Sequence, residues 1–341
     1  MSAGRAVAVW FPTVRTGTGT EVFTEQLVAG LISRGIRAEV TWLPLRAEYA
    51  PWTVRKHSPP HWASVVHVNT WLHPRFLPEH LPVVATLHHS MHDPAVRPYK
   101  GVVRAVYHRC WFVPIERRVL RRADRVVAVS RFVAETARRT LLDVPIDVIY
   151  NGVDVERFNP GNRAAASDKP FRLLYVGGWK SLKGVDLLAP IMRELGEDFV
   201  LHYTGEAAAT RDCAGMPDNM HDLGRLSRDG VITAMQRADV LLFPSRSEGF
   251  GMVASEAMAC GLPVVATRGS SLAEVIEDDV TGILCPPDDV VAFAASIRAL
   301  AVDSARTMAM SHAARKVCGE RFDIRLMIDA YLDLYRSIGS A

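Results

Sequence analysis

Two glutamates separated by seven residues, Glu248 and Glu256, lie in a segment whose residue types could do chemistry. An apolar run at residues 240–243 predicts a buried parallel strand before them, and the helix-forming residues after Gly251 predict a helix that carries Glu256. In open α/β sheets, ligands bind at the carboxyl ends of the strands. Because carboxylates accept hydrogen bonds from hydroxyl groups, the pair predicts a ligand rich in hydroxyls.

The start of that helix predicts a binding site for a diphosphate. Glycines allow a ligand to approach the main chain, and the first amides of a helix have no intrahelical partner. The helix macrodipole adds roughly half a positive charge there, which stabilises a negative leaving group without a metal ion. Two carboxylates would repel the diphosphate unless each accepts from a hydroxyl, so we expect a sugar on one side and a ribose on the other. The candidate ligands are Gly249, Phe250, Gly251, Met252 and Val253.

The same segment reads EGFGMVASEAMACGLPVV from Glu248 onward and resembles the Glu-x7-Glu signature of the retaining family-4 glycosyltransferases. The alternative is an ordinary helix with two solvated glutamates, but the flanking glycines and the Pro-Val-Val strand that follows favour the resemblance. The resemblance implies the GT-B fold, a catalytic Glu248 that holds sugar hydroxyls, and Glu256 as the ligand of the ribose.

Composition indicates a globular protein of about two domains. The chain has 341 residues, of which 49% are hydrophobic and 23% charged, and its formal charge is +3. No apolar run approaches about 18 residues and the start lacks a signal-peptide pattern, so we expect a cytoplasmic protein. Five scattered cysteines, an odd number without CxxC spacing, favour reduced thiols over a disulfide framework or a zinc site.

A strand-loop-helix pattern of the nucleotide-binding kind occurs near the start of the chain and begins again at Phe171. Residues 159–170 are polar and rich in Pro, Gly and Ala, which is typical of a linker. We therefore predict an α/β protein with two Rossmann-like, doubly wound domains, and the resemblance implies that they face each other across a cleft. The predicted division is an acceptor domain at 1–160, a donor domain at 161–320, and a helix at 321–341 that packs back on the first domain.

The first loop contributes Gly19 to the predicted site. It follows a predicted strand at residues 5–10 and leads into a helix. The apolar residues with the period of that helix are Val22, Phe23, Leu27, Leu31 and Ile32. Most Gly-Thr loops are only turns. In the family that this chain resembles, the equivalent loop contacts the donor phosphate, usually through a Gly-Gly pair. Here Thr18 stands at the first position, so only Gly19 is carried over as a ligand.

A histidine cluster follows a predicted strand at residues 82–87. The sequence VVATLHH resembles the family segment whose histidine faces the donor sugar, which implies His88 as a second catalytic residue. Two alternatives stay open: a hydrogen-bonded core histidine, and a metal site that includes His89, His92 and Asp93. Consecutive residues of an extended strand point to opposite faces, which counts against the metal site. We predict no metal ion and no cofactor.

The loop at the start of the second half predicts further ligands of the diphosphate. A Lys-Gly pair at Lys183 matches the family's Gly-Arg…Lys-Gly loop, but Gly178 stands where the family has arginine. Lys180 is the candidate replacement, although a surface lysine is more often only solvated. Farther along, NMHDLGR at residues 219–225 resembles the segment that lines the nucleotide base, which implies Leu223 as a ligand.

Basic residues dominate the range from Arg97 to Arg139, with twelve basic residues against three acidic ones. Trp111 and Phe112 interleave with the arginines, as in a helix that contacts an anionic surface. We therefore predict peripheral contact with the anionic inner face of a membrane. The candidate contacts are Arg117, Arg118, Arg121 and Arg122. The alternative is the polar face of a docked helix, and no motif predicts a nucleic-acid partner.

Together these features predict an enzyme that transfers a sugar, with retention, from a UDP- or GDP-linked donor to a hydroxyl acceptor. The acceptor classes are an envelope lipid or polysaccharide and a secondary metabolite. No residue is identified as a covalent nucleophile, so the departing phosphate is expected to deprotonate the acceptor from the same face of the sugar. The alternatives are a sugar-nucleotide epimerase of the same fold and a non-catalytic protein that binds membrane surfaces.

Overall fold

The computed structural model of the chain describes residues 6–89, 91–161, 170–205 and 215–339. The chain forms two compact units, Met1–Gly152 with Arg325–Ala341, and Val153–Ile324. The sequence analysis placed the domain boundaries at 160/161 and 320/321, whereas the two units divide at 152/153 and 324/325. Most of the predicted linker, residues 162–169, lies outside the described residues, as does Cys213.

The first unit is built on six parallel strands: β1 Ala8–Val14, β2 Arg37–Leu43, β3 Val65–Asn69, β4 Val83–Leu87, β5 Arg125–Ala128 and β6 Asp147–Val148. They pair in the order β2-β1-β3-β4-β5-β6. The helices are α1 Gly19–Ser33, α2 Arg46–Tyr49, α3 Val102–Tyr107, α4 Val113–Arg122, α5 Arg131–Thr140 and the last helix of the chain, α12 Ile324–Gly339. Short 3-10 helices lie at Pro51–Thr53, Pro74–Phe76 and Pro94–Tyr99, and a π-helical segment at His108–Phe112 joins α3 to α4. β1, β3 and β4 are buried along their whole length, as expected for parallel strands covered on both faces.

The first strand and helix differ in detail from the prediction. β1 pairs with β2 along seven residues and ends at Val14, beyond the predicted end at residue 10. In α1, Val22 and Ile32 are exposed. The residues that α1 buries are Phe23, Thr24, Leu27, Val28 and Leu31. A helix on the surface of a sheet buries only one stripe, and two of the five apolar positions lie outside it.

The last helix, α12, packs in the first unit against Gly30 and His67. A Cβ atom at Gly30 would lie 2.1 Å from Cδ1 of Ile328, so α1 has no room for a side chain there. His67 is hydrogen-bonded to the Tyr335 hydroxyl over 2.5 Å and to the Thr86 hydroxyl over 2.7 Å. Burial lowers the pKa of His67 from 6.5 to about 3, so the ring is neutral and serves as a structural hydrogen-bonding group.

The second unit is built on six more parallel strands: β7 Phe171–Tyr175, β8 Phe199–Tyr203, β9 Met220–Asp222, β10 Val240–Phe243, β11 Val264–Thr267 and β12 Gly282–Cys285. They pair in the order β12-β11-β10-β7-β8-β9. Among the described residues of this unit, the helices are α6 Val185–Leu195, α7 Arg228–Arg237, α8 Met252–Ala259, α9 Leu272–Val275, α10 Val290–Val302 and α11 Ser304–Arg321, with a 3-10 turn at Ser181–Lys183. In each sheet the strand order reverses beside the first strand, as in doubly wound folds. The predicted fold class of two Rossmann-like α/β halves is confirmed.

Candidate functional site

In the second sheet the strand order reverses between β7 and β10, because β10 pairs with one edge of β7 while β8 pairs with the other. The crevice at such a switch point is where open α/β sheets bind ligands. The loop after β7 carries Lys183, and the loop after β10 carries Glu248. Lys183 Nζ donates to Glu248 Oε1 over 2.6 Å, and the two side chains are 30% and 11% exposed. Two residues identified from the sequence therefore meet at the switch point.

The two loops touch at Gly184, the residue after Lys183. Gly184 has a φ of +70°, and a Cβ atom there would lie 2.1 Å from the carbonyl oxygen of Pro244. Only glycine combines this backbone conformation with so close an approach. On the other side, the amide of Glu248 donates to Oγ of Ser270 over 3.1 Å. The close approach of Gly184 to Pro244 therefore holds the Lys183 loop against the loop that leads to Glu248.

Helix α8 starts beside Glu248, where the sequence predicted a helix. Gly251 precedes it with a φ of +93°. The amide of Ser255 donates to the carbonyl of Gly251 over 3.1 Å, so the amides of Met252 and Val253 come before the helical ladder. These amides and the positive end of the helix dipole follow Glu248 closely in the chain, and Glu248 in turn contacts Lys183. The arrangement can accept an anion, as helix N-termini at phosphate sites do.

Glu256 lies on α8 and is partly buried. Burial raises the pKa of Glu256 from 4.5 to about 7, although nearby Arg228 acts to lower it. A hydroxyl that donates to this carboxylate would stabilise its charged form. The alternative of two solvated glutamates does not describe this pair, because both Glu248 and Glu256 are at least partly buried.

The other residues that the sequence analysis predicted as ligands of the donor differ in their exposure. Phe250 is buried and packs edge-on against Phe322, with ring centroids 5.4 Å apart, so only its main chain is available to a ligand. Gly249 lies in the same loop. Leu223 is exposed at the end of β9, and Lys180 is exposed at the start of the 3-10 turn. Their assignment to the nucleotide base and the diphosphate stays a prediction.

In the first unit, the strand order of the sheet reverses between β1 and β3. Gly19 is the first residue of α1, after the loop that follows β1. The amides of Thr16 and Gly17 in this loop both donate to Oε1 of Glu21. A carboxylate of the chain itself therefore occupies two of the loop amides, which the sequence analysis did not foresee. An anion at this loop has to bind near Gly19 or displace Glu21.

His88 lies directly after β4, as predicted. Its Nε2 donates to Oδ1 of Asn69 over 2.9 Å, which leaves Nδ1 as the unprotonated nitrogen of the neutral ring. Phe23 and Trp71 pack edge-on against it, at 4.6 and 5.8 Å between ring centroids. Burial, and then two neighbouring histidines, hold the pKa of His88 well below 6.5. His88 is thus a neutral, hydrogen-bonded imidazole, which can orient a hydroxyl but supplies no positive charge.

The other residues of the histidine cluster have separate partners. His92 Nε2 is paired with Glu116 Oε2, and the Thr70 hydroxyl donates to Glu116 Oε1 over 2.8 Å. His89 stacks on a tryptophan ring, and Asp93 caps the turn that follows it. Among the described residues, no group of three His, Cys, Asp or Glu side chains is arranged to hold a metal ion. Independence from metal stays a prediction.

Glu116 was not identified from the sequence as a functional residue. It is only 2% exposed. Burial acts to raise the pKa of Glu116, but the bond with His92 and the nearby charges outweigh it, and the net pKa lies below 4.5. The available signal was its position beside Ile115 on the buried side of α4.

Several of the predicted membrane contacts are engaged within the first unit. Arg117 and Arg122 donate to main-chain carbonyls, over 2.8 and 2.9 Å. The indole of Trp111 donates to another carbonyl over 2.9 Å. Phe112 is only partly exposed, whereas Arg117, Arg118 and Arg121 are exposed. Two of the four predicted arginines therefore donate to carbonyls within the first unit, although three of the four are exposed.

Helix α3 presents the most exposed apolar side chains of this segment. Val102, Val103 and Val106 are 80%, 85% and 56% exposed, and no residue of α3 is buried. Residues 94–115 contain four basic residues and no acidic residue. In the part of the chain that the structure describes, no helix is long and apolar enough to cross a membrane.

Two family models match the chain: Glycosyltransferase Family 4 over residues 6–157, and Glycosyl transferases group 1 over residues 170–303. The D-inositol 3-phosphate glycosyltransferase of Xylanimonas cellulosilytica is 30% identical over 311 residues, which are 80% of this chain and 72% of that protein. With several other curated relatives, the match spans about half of the relative's length, 45% and 50% in two cases.

Solved structures share the fold at low sequence identity. Sucrose-phosphate synthase from Thermosynechococcus elongatus has a TM-score of 0.81 and 20% identity, over 98% of this chain and 99% of that one. HepE of Anabaena, in complex with UDP-glucose, has a TM-score of 0.72 and 18% identity, over 97% of this chain and 99% of that one. At such identities the likeness establishes the fold and leaves the substrate open.

Proposed function

Since the chain belongs to the family-4 glycosyltransferases with the GT-B fold, we propose that it transfers a sugar, with retention, from a nucleotide-diphosphate donor to a hydroxyl of an acceptor. The observation that carries this proposal is the contact of Lys183 with Glu248 at the switch point, directly before the start of α8. A cation, a carboxylate and helix amides at one place match a ligand that joins a diphosphate to a sugar.

In the proposed reaction, Lys183 and the first amides of α8 receive the charge of the departing diphosphate. Glu248 accepts hydrogen bonds from the sugar hydroxyls, and Glu256 accepts from the ribose. Transition-state stabilisation then comes from fixed donors aimed at the leaving group. The departing phosphate oxygen takes the proton of the acceptor hydroxyl as the new glycosidic bond forms on the same face. His88 orients the sugar through its neutral ring, and no metal ion is required.

The proposed donor is UDP-linked, because HepE of Anabaena was solved with UDP-glucose. A GDP-linked donor is the alternative. The relative from Xylanimonas acts, by its name, on D-inositol 3-phosphate, which supports a polar acceptor hydroxyl.

Nucleotide release by the purified protein tests this proposal, with a panel of UDP- and GDP-sugars and with excess chelator present. Release is expected with one donor class, and it should fall by about 10²-fold or more in Glu248→Gln but be retained in Glu320→Gln, a matched change at an exposed glutamate of the same unit. Isomerised donor without release would instead identify an epimerase. Absence of turnover with every donor would leave a non-catalytic binding protein.

We also propose that the acceptor is reached at an anionic membrane surface, through α3 rather than through the four arginines of α4. The exposed valines provide the apolar contact, and Arg97, Lys100, Arg104 and Arg109 lie near them in the sequence, in a stretch (residues 94–115) that contains no acidic residue. Basic side chains near such a surface contribute about 1 kcal/mol each, and salt weakens the attraction.

Co-sedimentation with phosphatidylglycerol and with phosphatidylcholine vesicles tests the membrane proposal. Binding is expected only to the anionic vesicles, to weaken with salt, and to be lost when Val102, Val103 and Val106 are changed to Ser. Val302→Ser, at an 86% exposed valine of the second unit, is the matched control. Lack of binding by the parent protein at low salt would remove the membrane and favour a soluble acceptor.

A further inference from the structure

Arg246 lies in the loop after β10, two residues before Glu248, and its side chain is only 9% exposed. Its guanidinium forms a bidentate pair with Asp186, Nη1 to Oδ1 and Nη2 to Oδ2, both over 2.7 Å. Its Nε donates to Oδ1 of Asp288 over 2.6 Å. One buried cation thus binds two carboxylates that come from different parts of the unit.

The same residue holds the turn that carries Lys183. Nη1 of Arg246 also donates to the carbonyl of Ser181, and its amide donates to the carbonyl of Leu182 over 3.0 Å. The turn Ser181–Lys183 is a single 3-10 turn, which has few internal hydrogen bonds to fix it. Its position against the Glu248 loop therefore depends on contacts between the two segments, and Arg246 supplies several of them.

Arg246 also neutralises the negative charge of Asp186 and Asp288. Asp186 is in the first turn of α6, three residues after Lys183, and Asp288 lies after β12. Both side chains are half exposed and carry negative charge next to the place proposed for the diphosphate. The bond to Arg246 holds the pKa of the Asp186 carboxyl below 3.8. Without Arg246, two unneutralised carboxylates would repel a bound diphosphate.

We propose that Arg246 is a positioning residue of the donor site, which holds Lys183 against Glu248 and neutralises Asp186 and Asp288 so that the turn accepts a diphosphate. This inference rests on the proposed function. No sequence motif pointed to it, because its partners lie 42 and 60 residues away along the chain.

The test compares two ligands that differ by one phosphate, UMP and UDP, with GMP and GDP as the second pair, by calorimetric titration of the full chain. Parent protein is expected to bind the diphosphate more tightly than the monophosphate. In Arg246→Gln the affinity for the diphosphate should fall about tenfold or more, because Asp186 and Asp288 lose their cation and the turn loses its contact, while the affinity for the monophosphate stays within about threefold. Arg298→Gln, which removes a partly exposed pair with Glu194 in the same unit, is the matched control.

Arg246→Lys separates position from charge, since lysine keeps the positive charge but cannot form the bidentate pair. It should lose part of the preference for diphosphate and keep a melting temperature close to that of the parent, so it serves if the Gln variant does not fold. An unchanged preference in both folded variants, or an equal loss for both ligands, would overturn the positioning role. A parent protein that binds the two ligands equally would overturn the proposed function together with this inference.

Discussion

Glu256→Gln is expected to stabilise the protein at alkaline pH while it weakens donor binding. The pKa of Glu256 rises from 4.5 to about 7 on folding, because the carboxylate is buried. Each step of one in pKa corresponds to about 1.4 kcal/mol, so the charged form costs the folded state about 3 kcal/mol. The native protein binds the proton more tightly than the unfolded chain, so this cost is absent below pH 4.5 and is complete above pH 7.

The assay is thermal unfolding of the parent and of Glu256→Gln at pH 5 and at pH 8. Glutamine carries no charge at either pH, so the variant should melt about 5 to 10 °C higher than the parent at pH 8, where the penalty is complete. At pH 5 the penalty is below about 1 kcal/mol, and the two melting temperatures should nearly coincide. Glu320→Gln, at an exposed position, should change neither value.

Donor binding gives the second half of the same prediction. If Glu256 accepts a hydrogen bond from the ribose, binding favours its ionised form, and the affinity of the parent for UDP should fall as the pH drops below 7. The comparison with Glu256→Gln cancels the titration of the nucleotide itself, and that variant should show weaker binding with a flatter pH dependence. A variant that is less stable than the parent at pH 8, or that binds UDP as tightly, would refute the reasoning.

Four further substitutions test the rest of the site. Glu248→Gln removes the carboxylate proposed to accept hydrogen bonds from the sugar, and we expect turnover to fall by about 10²-fold or more with the fold intact; near-normal turnover would exclude Glu248 from the site. Gly184→Ala places a Cβ atom against the carbonyl of Pro244 at a φ of +70°, so it should weaken UDP binding and destabilise the protein by about 1 kcal/mol or more, as followed by titration and melting. His88→Ala should reduce transfer far more than His92→Ala does; equal losses with bound metal would support a metal cluster.

The loops after β7 and β10 could be predicted as a binding site from local sequence patterns. A strand, a break, glycines and a helix start follow one another within a few residues, so Lys183, Glu248 and α8 could be placed at strand ends before their contact was known. The contact between these loops follows from the topology, because the strand order places the ends of β7 and β10 side by side.

Pairings between distant residues could not be predicted in this way. Thr70 and Glu116 are 46 residues apart, and no periodic pattern in the sequence indicates the hydrogen bond between them. Nothing in the sequence pattern indicated that the carboxylate of Glu21 binds the amides of the preceding loop. The basic composition of residues 97–139 indicated contact with an anionic surface, but the internal contacts of Arg117 and Arg122 depend on where neighbouring carbonyls lie.

The assignment of Arg325–Ala341 to the first unit has a consequence for synthesis on the ribosome. The second unit, Val153–Ile324, is one continuous stretch, whereas the first needs both ends of the chain. Translation therefore delivers every residue of the second unit before the first can cover His67 with Tyr335. During that interval the nascent first unit exposes an apolar surface, and a nascent chain interrupted before α12 would be a substrate for chaperones or proteases.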